Sequence, residues 1–179
     1  MAVTNDIPIF RFGPNTGHQP MALPEAANAS IYAGTIAVTN NSGYAKDAGS
    51  SPATTDIVWG VYNGMYDSQE HITAPMAGGT TNGLHIVGVD TGTFLLNNAT
   101  GPDAIGVGNV GQACYIYDNV TVALTNSTGS RTVAGTILAA AVAGGALSTS
   151  NAMYSGKVAV RIGVQPANTG GNPPGTGLI

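Results

Sequence analysis

The sequence predicts an all-β protein, built as a single β-barrel or β-sandwich domain of about nine short strands. Of its 179 residues, 26 are glycine and 10 are proline, a content that interrupts long helices. Short runs of β-branched and aromatic residues recur between clusters of Gly, Asn, Asp and Ser, which is the pattern of strands and turns. Helical periodicity is not sustained over any long window, so an all-α fold is not expected.

The composition further restricts the classes of protein to which this chain can belong. Only 8% of the residues are charged and 43% are hydrophobic, so the chain has enough apolar material to fold without disulfides. Five Lys and Arg residues face nine Asp and Glu residues, a net charge of −4. We expect no direct nucleic-acid binding, because so few cations cannot neutralise a run of phosphates. The single Cys114 lies in an apolar run and is predicted to be a small buried side chain.

The first strands are predicted over residues 31–39 and 44–46, with a turn at 40–43 between them. The most apolar run, 57–62, follows and carries the one tryptophan. We therefore expect this strand to lie in the core.

Two further strand pairs are predicted in the middle of the chain. Residues 84–89 and 93–96 flank the turn 90–92 and form either a hairpin or a bulged continuous strand. Residues 114–124 form a hairpin with a two-residue reversal at Asp118-Asn119, residue types that tolerate the left-handed conformation.

The last strands are predicted over 132–139 and 157–162. The uncharged stretch 132–156 is rich in Ala, Gly, Ser and Thr, which insert poorly into a bilayer, so no membrane span is expected. The final strand alternates: Val158, Val160 and Ile162 are predicted on one face, and Lys157, Ala159 and Arg161 on the other.

The flanks differ from the centre in composition. Residues 1–29 contain four prolines and are predicted to form an extended N-terminal arm. Residues 30–164 form the β domain, and the Gly- and Pro-rich residues 165–179 form a flexible tail. The N-terminus shows neither the positive region nor the apolar region of a secretory signal, so we expect synthesis in the cytoplasm.

Asp90-Thr91-Gly92 resembles the signature of the aspartic proteases, in which two carboxylates share a proton and activate water. One copy would require a homodimer. A structural turn is the favoured interpretation, because Thr93 and Phe94 continue a strand where the proteases carry a small residue.

Other motifs offer no active site, and we expect neither an enzyme nor a cofactor. Residues 106–111 match G-x-G-x-x-G, but a strand follows them where a dinucleotide site needs a helix. His18, His71 and His85 lack the spacing of zinc ligands, and the adjacent pair Glu70-His71 is placed in a surface loop. No metal is therefore predicted.

The order of several sequence blocks resembles that of the head decoration, or capsid cement, proteins of tailed bacteriophages. The opening is Ile31-Tyr32-Ala33-Gly34-Thr35-Ile36-Ala37-Val38, then residues 41–45 and 57–61. The later blocks are residues 92–96, 110–122, 133–137 and 156–162. The resemblance covers roughly Ile31 to Ile162, and it is the ordered set that carries it.

The resemblance implies a non-enzymatic β domain on the outside of the phage capsid that bridges neighbouring major capsid protein subunits and stabilises the head against internal DNA pressure. Such proteins are homo-oligomers, and we expect a homotrimer rather than a homodimer. The alternative within the binding class is a head fibre or a carbohydrate-binding receptor-attachment module, which exposed rows of Trp or Tyr would favour.

The N-terminal arm is the predicted contact segment. Residues 6–12 contain a proline and the apolar anchors Ile7, Ile9 and Phe12, so they can dock in extended form on a capsid protein, or on a neighbouring copy of the same chain. The contact residues of this hypothesis are Ile7, Ile9, Phe10, Arg11 and Phe12.

Overall fold

The computed structural model confirms the prediction of an all-β barrel or sandwich. It describes residues 20–49, 53–66, 71–72, 76–77, 79–141 and 153–163. Ten of the thirteen strands in these ranges have three or more residues. In chain order the strands are β1 (Pro20–Pro24), β2 (Ser30–Ile31), β3 (Ile36–Thr39), β4 (Ala45–Asp47), β5 (Ile57–Tyr66), β6 (His71–Ile72), β7 (Met76–Ala77), β8 (Ile86–Asp90), β9 (Gly92–Asn98), β10 (Ala113–Ile116), β11 (Thr121–Ala123), β12 (Val133–Ala140) and β13 (Lys157–Ile162).

The N-terminal half forms a sheet in the order β1-β8-β5-β3-β4, with antiparallel neighbours throughout and β6 paired to β5. β2 and β7 form a separate antiparallel pair. The two ends of the sheet approach each other, because Glu25 bridges to Ala45 and the Ala26 amide donates to the Ala45 carbonyl at 2.8 Å. The segment after β1 thus lies against β4.

The C-terminal half is a closed five-stranded barrel in the order β10-β11-β9-β13-β12, completed by pairing of β12 with β10. β9 and β11 run parallel, and the other neighbours are antiparallel. A barrel of so few strands has room inside only for its own side chains.

One apolar core joins the two halves. Alternation along β3 directs Ile36 and Val38 into the main apolar cluster, while Ala37 faces a second cluster on the other side of the sheet. The main cluster contains Ile36, Val38, Ala48, Val58, Val61, Phe94, Leu96, Ile105, Cys114, Ile116, Val122, Ala134, Ile137, Ala140, Val158, Val160 and Ile162. The second contains Leu23, Ile31, Ala37, Ala45, Tyr62, Val87 and Val89.

A nearly continuous strand passes between the halves. β8 belongs to the first sheet and β9 to the barrel, and Thr91 alone separates them. Gly92 has φ 139°, a conformation that favours glycine. Of the two arrangements predicted for residues 84–96, the structure has the bulged continuous strand.

The strand predicted to lie in the core, residues 57–62, does so through Val58, Val61 and Tyr62. Trp59 itself is only partly buried at the margin of the second cluster. The reason is alternation: Val58 faces the main core, so its neighbour points to the opposite side of β5. The Trp59 indole Nε1–H donates to Thr39 Oγ1 at 2.9 Å.

The hairpin predicted over 114–124 is present, but its reversal differs. The Tyr117 amide donates to the Thr121 carbonyl at 2.9 Å, so the loop spans residues 118–120. Asp118 and Asn119 are buried, and neither has a positive φ. The Asp118 side chain accepts a hydrogen bond from the Val120 amide within the loop. The Asn119 side chain turns inwards and donates to Asp47, which is distant in sequence.

Two other local expectations change. The strand predicted over 31–39 is interrupted at Gly34, whose φ is 85°, and splits into β2 and β3. Ala159 is fully buried although it faces away from the barrel interior, because it packs with Leu95, partly buried alanines and Tyr154 outside the barrel.

β1 lies inside the range 1–29 that was predicted as an arm. Pro20 and Pro24 are the first and last residues of this strand. Proline lacks an amide proton, so it is compatible with a strand at the edge of a sheet. The earlier part of the arm and the tail 165–179 lie outside the described residues.

Candidate functional site

The predicted contact residues Ile7, Ile9, Phe10, Arg11 and Phe12 lie outside the described residues. The structure describes the strand that follows them, β1. This strand is at the end of the sheet order and pairs with β8. The arm therefore leads into a sheet edge, the part of a β-sheet that can accept another strand.

Alternation divides the residues of β1 between two faces. Leu23 is buried and half-buried Met21 packs against the second cluster, whereas Ala22 and Pro24 are exposed. Pro24 pairs with Ile86, which is 47% exposed, and Leu84 is 60% exposed. We call Pro24, Leu84 and Ile86 the edge patch. Apolar side chains grouped beside a sheet edge are typical of a contact surface.

A buried acid and an imidazole lie directly behind this patch. The Glu25 carboxyl Oε1 is 2.6 Å from His85 Nδ1 and accepts a hydrogen bond from the Gly79 amide at 2.7 Å. The Glu25 side chain is 0% exposed and that of His85 is 19% exposed. Glu25 Oε2 is buried without a hydrogen-bond partner in the described structure. A buried carboxyl group needs hydrogen-bonding or charged partners such as His85 and Gly79, because desolvation of an isolated charge is costly.

This pair could not be found in the sequence. Glu25 and His85 are 60 positions apart, and nothing in the residues next to either one indicates a partner. Backbone bonds bring them together: the Glu25 amide donates to the His85 carbonyl at 3.1 Å, and the Gly83 amide donates to the Glu25 carbonyl at 2.8 Å.

A second polar cluster lies between the first sheet and the barrel. Lys46 Nζ is 2.8 Å from Asp56 Oδ2, and the Asn119 amide donates to Asp47 Oδ1 at 2.9 Å. Thr132 Oγ1 is within hydrogen-bond distance of the Asp56 carbonyl. Burial raises the pKa of Asp47 and outweighs the lowering by the Asn119 hydrogen bond. These groups fasten the halves together, which is a structural role.

A third cluster lies on the barrel surface. Arg131 Nη1 is 3.0 Å from Asp103 Oδ2, and the guanidinium stands 4.7 Å from the centre of the Tyr117 ring. The hydrogen bond from Thr125, followed by Arg131, lowers the pKa of Asp103. Among the aromatic side chains whose exposure the structure describes, Tyr117 is the one that is exposed, and Arg131 covers its ring. The row of exposed aromatics expected of a sugar-binding groove is not seen in this part of the chain.

Asp90 occupies a structural position. Its side chain accepts a hydrogen bond from the Asn63 amide at 2.7 Å, and the residue is 3% exposed. Its backbone lies between β1 and β5, opposite Pro20 and Val61. A shared-proton dyad needs the carboxylate to face its twin across a dimer axis, so this burial favours a structural role for Asp90. The residue ends strand β8 and does not lie in the predicted turn.

The G-x-G-x-x-G match also has a structural explanation. Residues Val107–Asn109 form a single 3₁₀ turn, and the strand β10 follows, as predicted. Val107 and Val110 are exposed on this loop, and the Gly111 amide bonds to the Ile137 carbonyl at 2.8 Å. The loop therefore packs along β12 and has no helix to face a pyrophosphate.

Cys114 is fully buried, as predicted, and its desolvation raises the pKa of the thiol to about 12. It is thus an unreactive thiol. His18 and Glu70 lie outside the described residues. His71 was predicted in a surface loop but begins strand β6, where it pairs with Tyr66. Among the described side chains, no three His, Cys, Asp or Glu groups come together as a metal site.

The described residues include no helix that is both long and apolar enough to cross a membrane. No protein-family model, curated protein or solved structure matches the chain.

Proposed function

We propose that this chain is a head decoration protein of a tailed bacteriophage, which binds the capsid exterior and bridges neighbouring major capsid protein subunits. The order of the sequence blocks from Ile31 to Ile162 resembles that of this family and supports the proposal. One structural observation supports the contact: the arm leads into β1, an edge strand with exposed apolar side chains beside it. An extended segment at a sheet edge can dock by backbone pairing and by inserting alternate side chains into pockets.

In this proposal the β domain is the rigid part of the bridge. The barrel and the first sheet share one core, so a force applied at β1 is transmitted through the whole body. Each bound copy adds contact free energy that must be lost before two capsid subunits separate. Many copies on one shell multiply this effect.

The remaining features of the proposed function follow from the same role. The protein is a homo-oligomer, a trimer rather than a dimer, and acts without enzymatic chemistry or a cofactor. It is made in the host cytoplasm and resides on the virion exterior, with no direct nucleic-acid or membrane partner. Ile7, Ile9 and Phe12 are the proposed anchors of the arm, with Phe10 and Arg11 between them.

Addition of the purified protein to capsids that lack it tests the proposal. We expect ordered density at symmetry axes in electron microscopy, a defined number of copies per shell and a higher melting temperature of the shell. The absence of ordered density on mature shells would contradict the capsid role.

Three variants locate the contact. Deletion of residues 2–12, or substitution Leu84→Ser in the edge patch, should lower capsid occupancy. The matched control is Leu138→Ser, which removes an exposed leucine from the barrel and should leave occupancy unchanged. Equal loss of binding in all three variants would contradict a contact at the β1 edge.

Light scattering on the variant that lacks residues 2–12 distinguishes between the two proposed partners of the arm, the capsid protein and a neighbouring copy of this chain. Lost capsid occupancy with retained self-association supports docking on the capsid protein. Unchanged occupancy with lost self-association would instead assign the arm to a neighbouring copy of this chain.

A further inference from the structure

A second group of exposed apolar side chains lies in the barrel half of the molecule. Val107, Val110 and Leu138 are 56%, 49% and 41% exposed. We call these three residues the barrel patch. The edge patch lies beside the first sheet, so the two patches belong to different halves and one molecule can use both at once.

The backbone brings the three residues of the barrel patch together. The Gly111 amide donates to the Ile137 carbonyl at 2.8 Å, which continues the antiparallel pairing of β10 with β12. This register places Val110 beside Leu138. The Val110 amide also donates to the Val107 carbonyl at 3.3 Å, and side chains three residues apart in a 3₁₀ turn lie on the same side.

The loop that carries the two valines is held by hydrogen bonds of its own. The Gly106 amide donates to Asn109 Oδ1 at 2.8 Å, and the Asn109 amide donates to the Gly106 carbonyl at 3.0 Å. The Gln112 amide donates to the Asn109 carbonyl at 3.0 Å. Little conformational entropy is therefore lost when a partner binds this surface.

The segments that form the barrel patch carry no charge. Residues 104–117 and 132–156 contain no Asp, Glu, Lys, Arg or His. Gln112 and Thr136, exposed polar residues of these segments, are uncharged. Arg161 lies opposite Thr136 on β13 and is exposed, so this cation stands at the margin of the patch. An apolar centre with a polar margin is the usual composition of a protein–protein interface.

The charge of the whole chain favours a second copy as the occupant. The net charge is −4, so contact between copies is least opposed where the surface carries no charge. Residues at the centre of a symmetric assembly meet their own images around the axis. A charged side chain there faces a like charge, whereas a valine or a leucine there buries apolar surface. The uncharged barrel patch fits this position.

We propose that the barrel patch is the self-association surface of this protein, at which Val107, Val110 and Leu138 of three copies meet around a three-fold axis. The inference rests on the proposed function, in which the protein is a trimer. Each copy keeps its β1 edge for the capsid. The trimer then presents three capsid contacts at once, which raises its overall affinity for the shell.

Light scattering on the free protein tests the proposal. The unmodified protein should have the mass of three chains, and Leu138→Asp should have the mass of one, because the substitution places like charges around the axis. The matched control, Leu84→Asp, changes an exposed leucine of the edge patch and should remain a trimer. Circular dichroism should show that both variants are folded. A monomeric unmodified protein, or a Leu138→Asp variant that remains a trimer, would overturn the proposal.

Thiol cross-linking locates the axis directly. Cys114 is fully buried, so a cysteine introduced on the surface is the thiol that reacts. With a short bismaleimide, Val110→Cys should give covalently linked chains on a denaturing gel, because this residue meets its own image. Leu84→Cys should run as a single chain. The absence of linked chains in Val110→Cys, or equal cross-linking of both variants, would also overturn the proposal.

Capsid occupancy, measured at saturating protein, separates this inference from the proposed function. Leu138→Asp should fill the same number of sites as the unmodified protein, because each copy keeps its β1 edge. An unmodified trimer that does not bind capsids would contradict the capsid role and leave the barrel patch as the self-association surface. A Leu138→Asp variant that stays a trimer but loses occupancy would assign the patch to the capsid protein and overturn the proposal.

Discussion

Single buried polar side chains determine how tightly the strands of the first sheet are held. Tyr62 is fully buried, and its hydroxyl lies 2.9 Å from the carbonyl oxygens of both Val38 and Lys46. It also accepts from the Val38 amide at 3.3 Å. Burial raises the pKa of this phenol. One hydroxyl thus links three strands, and its removal takes a hydrogen-bond partner from buried backbone groups.

Tyr62→Phe should lower the free energy of unfolding by about 1–3 kcal/mol, the cost of leaving a buried polar group unsatisfied. Urea denaturation measures the change. The control is Tyr117→Phe, since Tyr117 is exposed and a phenylalanine still stacks under Arg131; it should change stability little. A similar loss in both variants would contradict the role assigned to the Tyr62 hydroxyl.

The raised pKa of Asp47 predicts the direction in which stability changes with pH. Its pKa in the folded protein is raised, mainly by burial, so ionisation costs more in the folded state than in the unfolded chain. The contribution of this group to stability is greatest below the usual aspartate pKa and declines as the pH rises through the raised value.

Comparison with Asp47→Asn isolates this contribution. The stability of the unmodified protein relative to the variant should be highest in acid and should fall towards neutral pH. Urea denaturation of both proteins at several pH values measures the difference. A difference that grows as the pH rises would show that the Asn119 hydrogen bond, and not burial, dominates.

At the scale of secondary-structure elements, close contact between strands limits the size of the residue that fits at certain positions. A Cβ atom added at Gly60 would stand 2.0 Å from the Asp90 carbonyl oxygen, and one added at Gly135 would stand 2.3 Å from the Arg161 carbonyl oxygen. Both distances are far below van der Waals contact, and both involve backbone that cannot move alone. Glycine is therefore required where β5 meets β8 and where β12 meets β13.

Gly135→Ala should destabilise the barrel by about 1–3 kcal/mol, as overpacking does in other well-packed interiors. Thermal unfolding measures the change. Gly108→Ala is the matched control, because a Cβ there meets nothing within 4 Å. If the two variants melt at the same temperature, the close approach of β12 and β13 is not limiting.

The whole molecule is organised around the core that both halves share. Ile36 and Val58 come from the first sheet, and Phe94 and Ile137 come from the barrel. β8 and β9 also connect the halves almost without a loop. Neither half can therefore expose its side of the core without exposing the other, and we expect the described domain to unfold in one step.

Ile36→Ala tests this cooperativity. The substitution should cost about 2–5 kcal/mol, the range for large-to-small changes in a core. Trp59 fluorescence reports on the first sheet, and exchange of the Gly111 amide reports on the barrel. Both probes should report the same decrease in the free energy of unfolding. A loss confined to the Trp59 signal would show that the halves unfold independently.

Local features of the fold were predictable from sequence because local chemistry controls them. The β3–β4 hairpin follows from its turn, where Gly43 has φ 84°. The alternation of β13 predicted the buried face of Val158, Val160 and Ile162. The burial of Cys114 followed from its apolar neighbours.

Tertiary structure decided everything that depends on distant partners. Asn119 turned inwards because it meets Asp47, 72 residues away, and Glu25 is a buried carboxyl group because the fold brings His85 to it. Strand order has the same origin, since β1 pairs with β8 and β9 pairs with both β11 and β13. The sequence alone determined that this chain forms short strands separated by turns. Folding determined which strands meet, because pairing energy comes from contacts between segments that a local pattern does not relate.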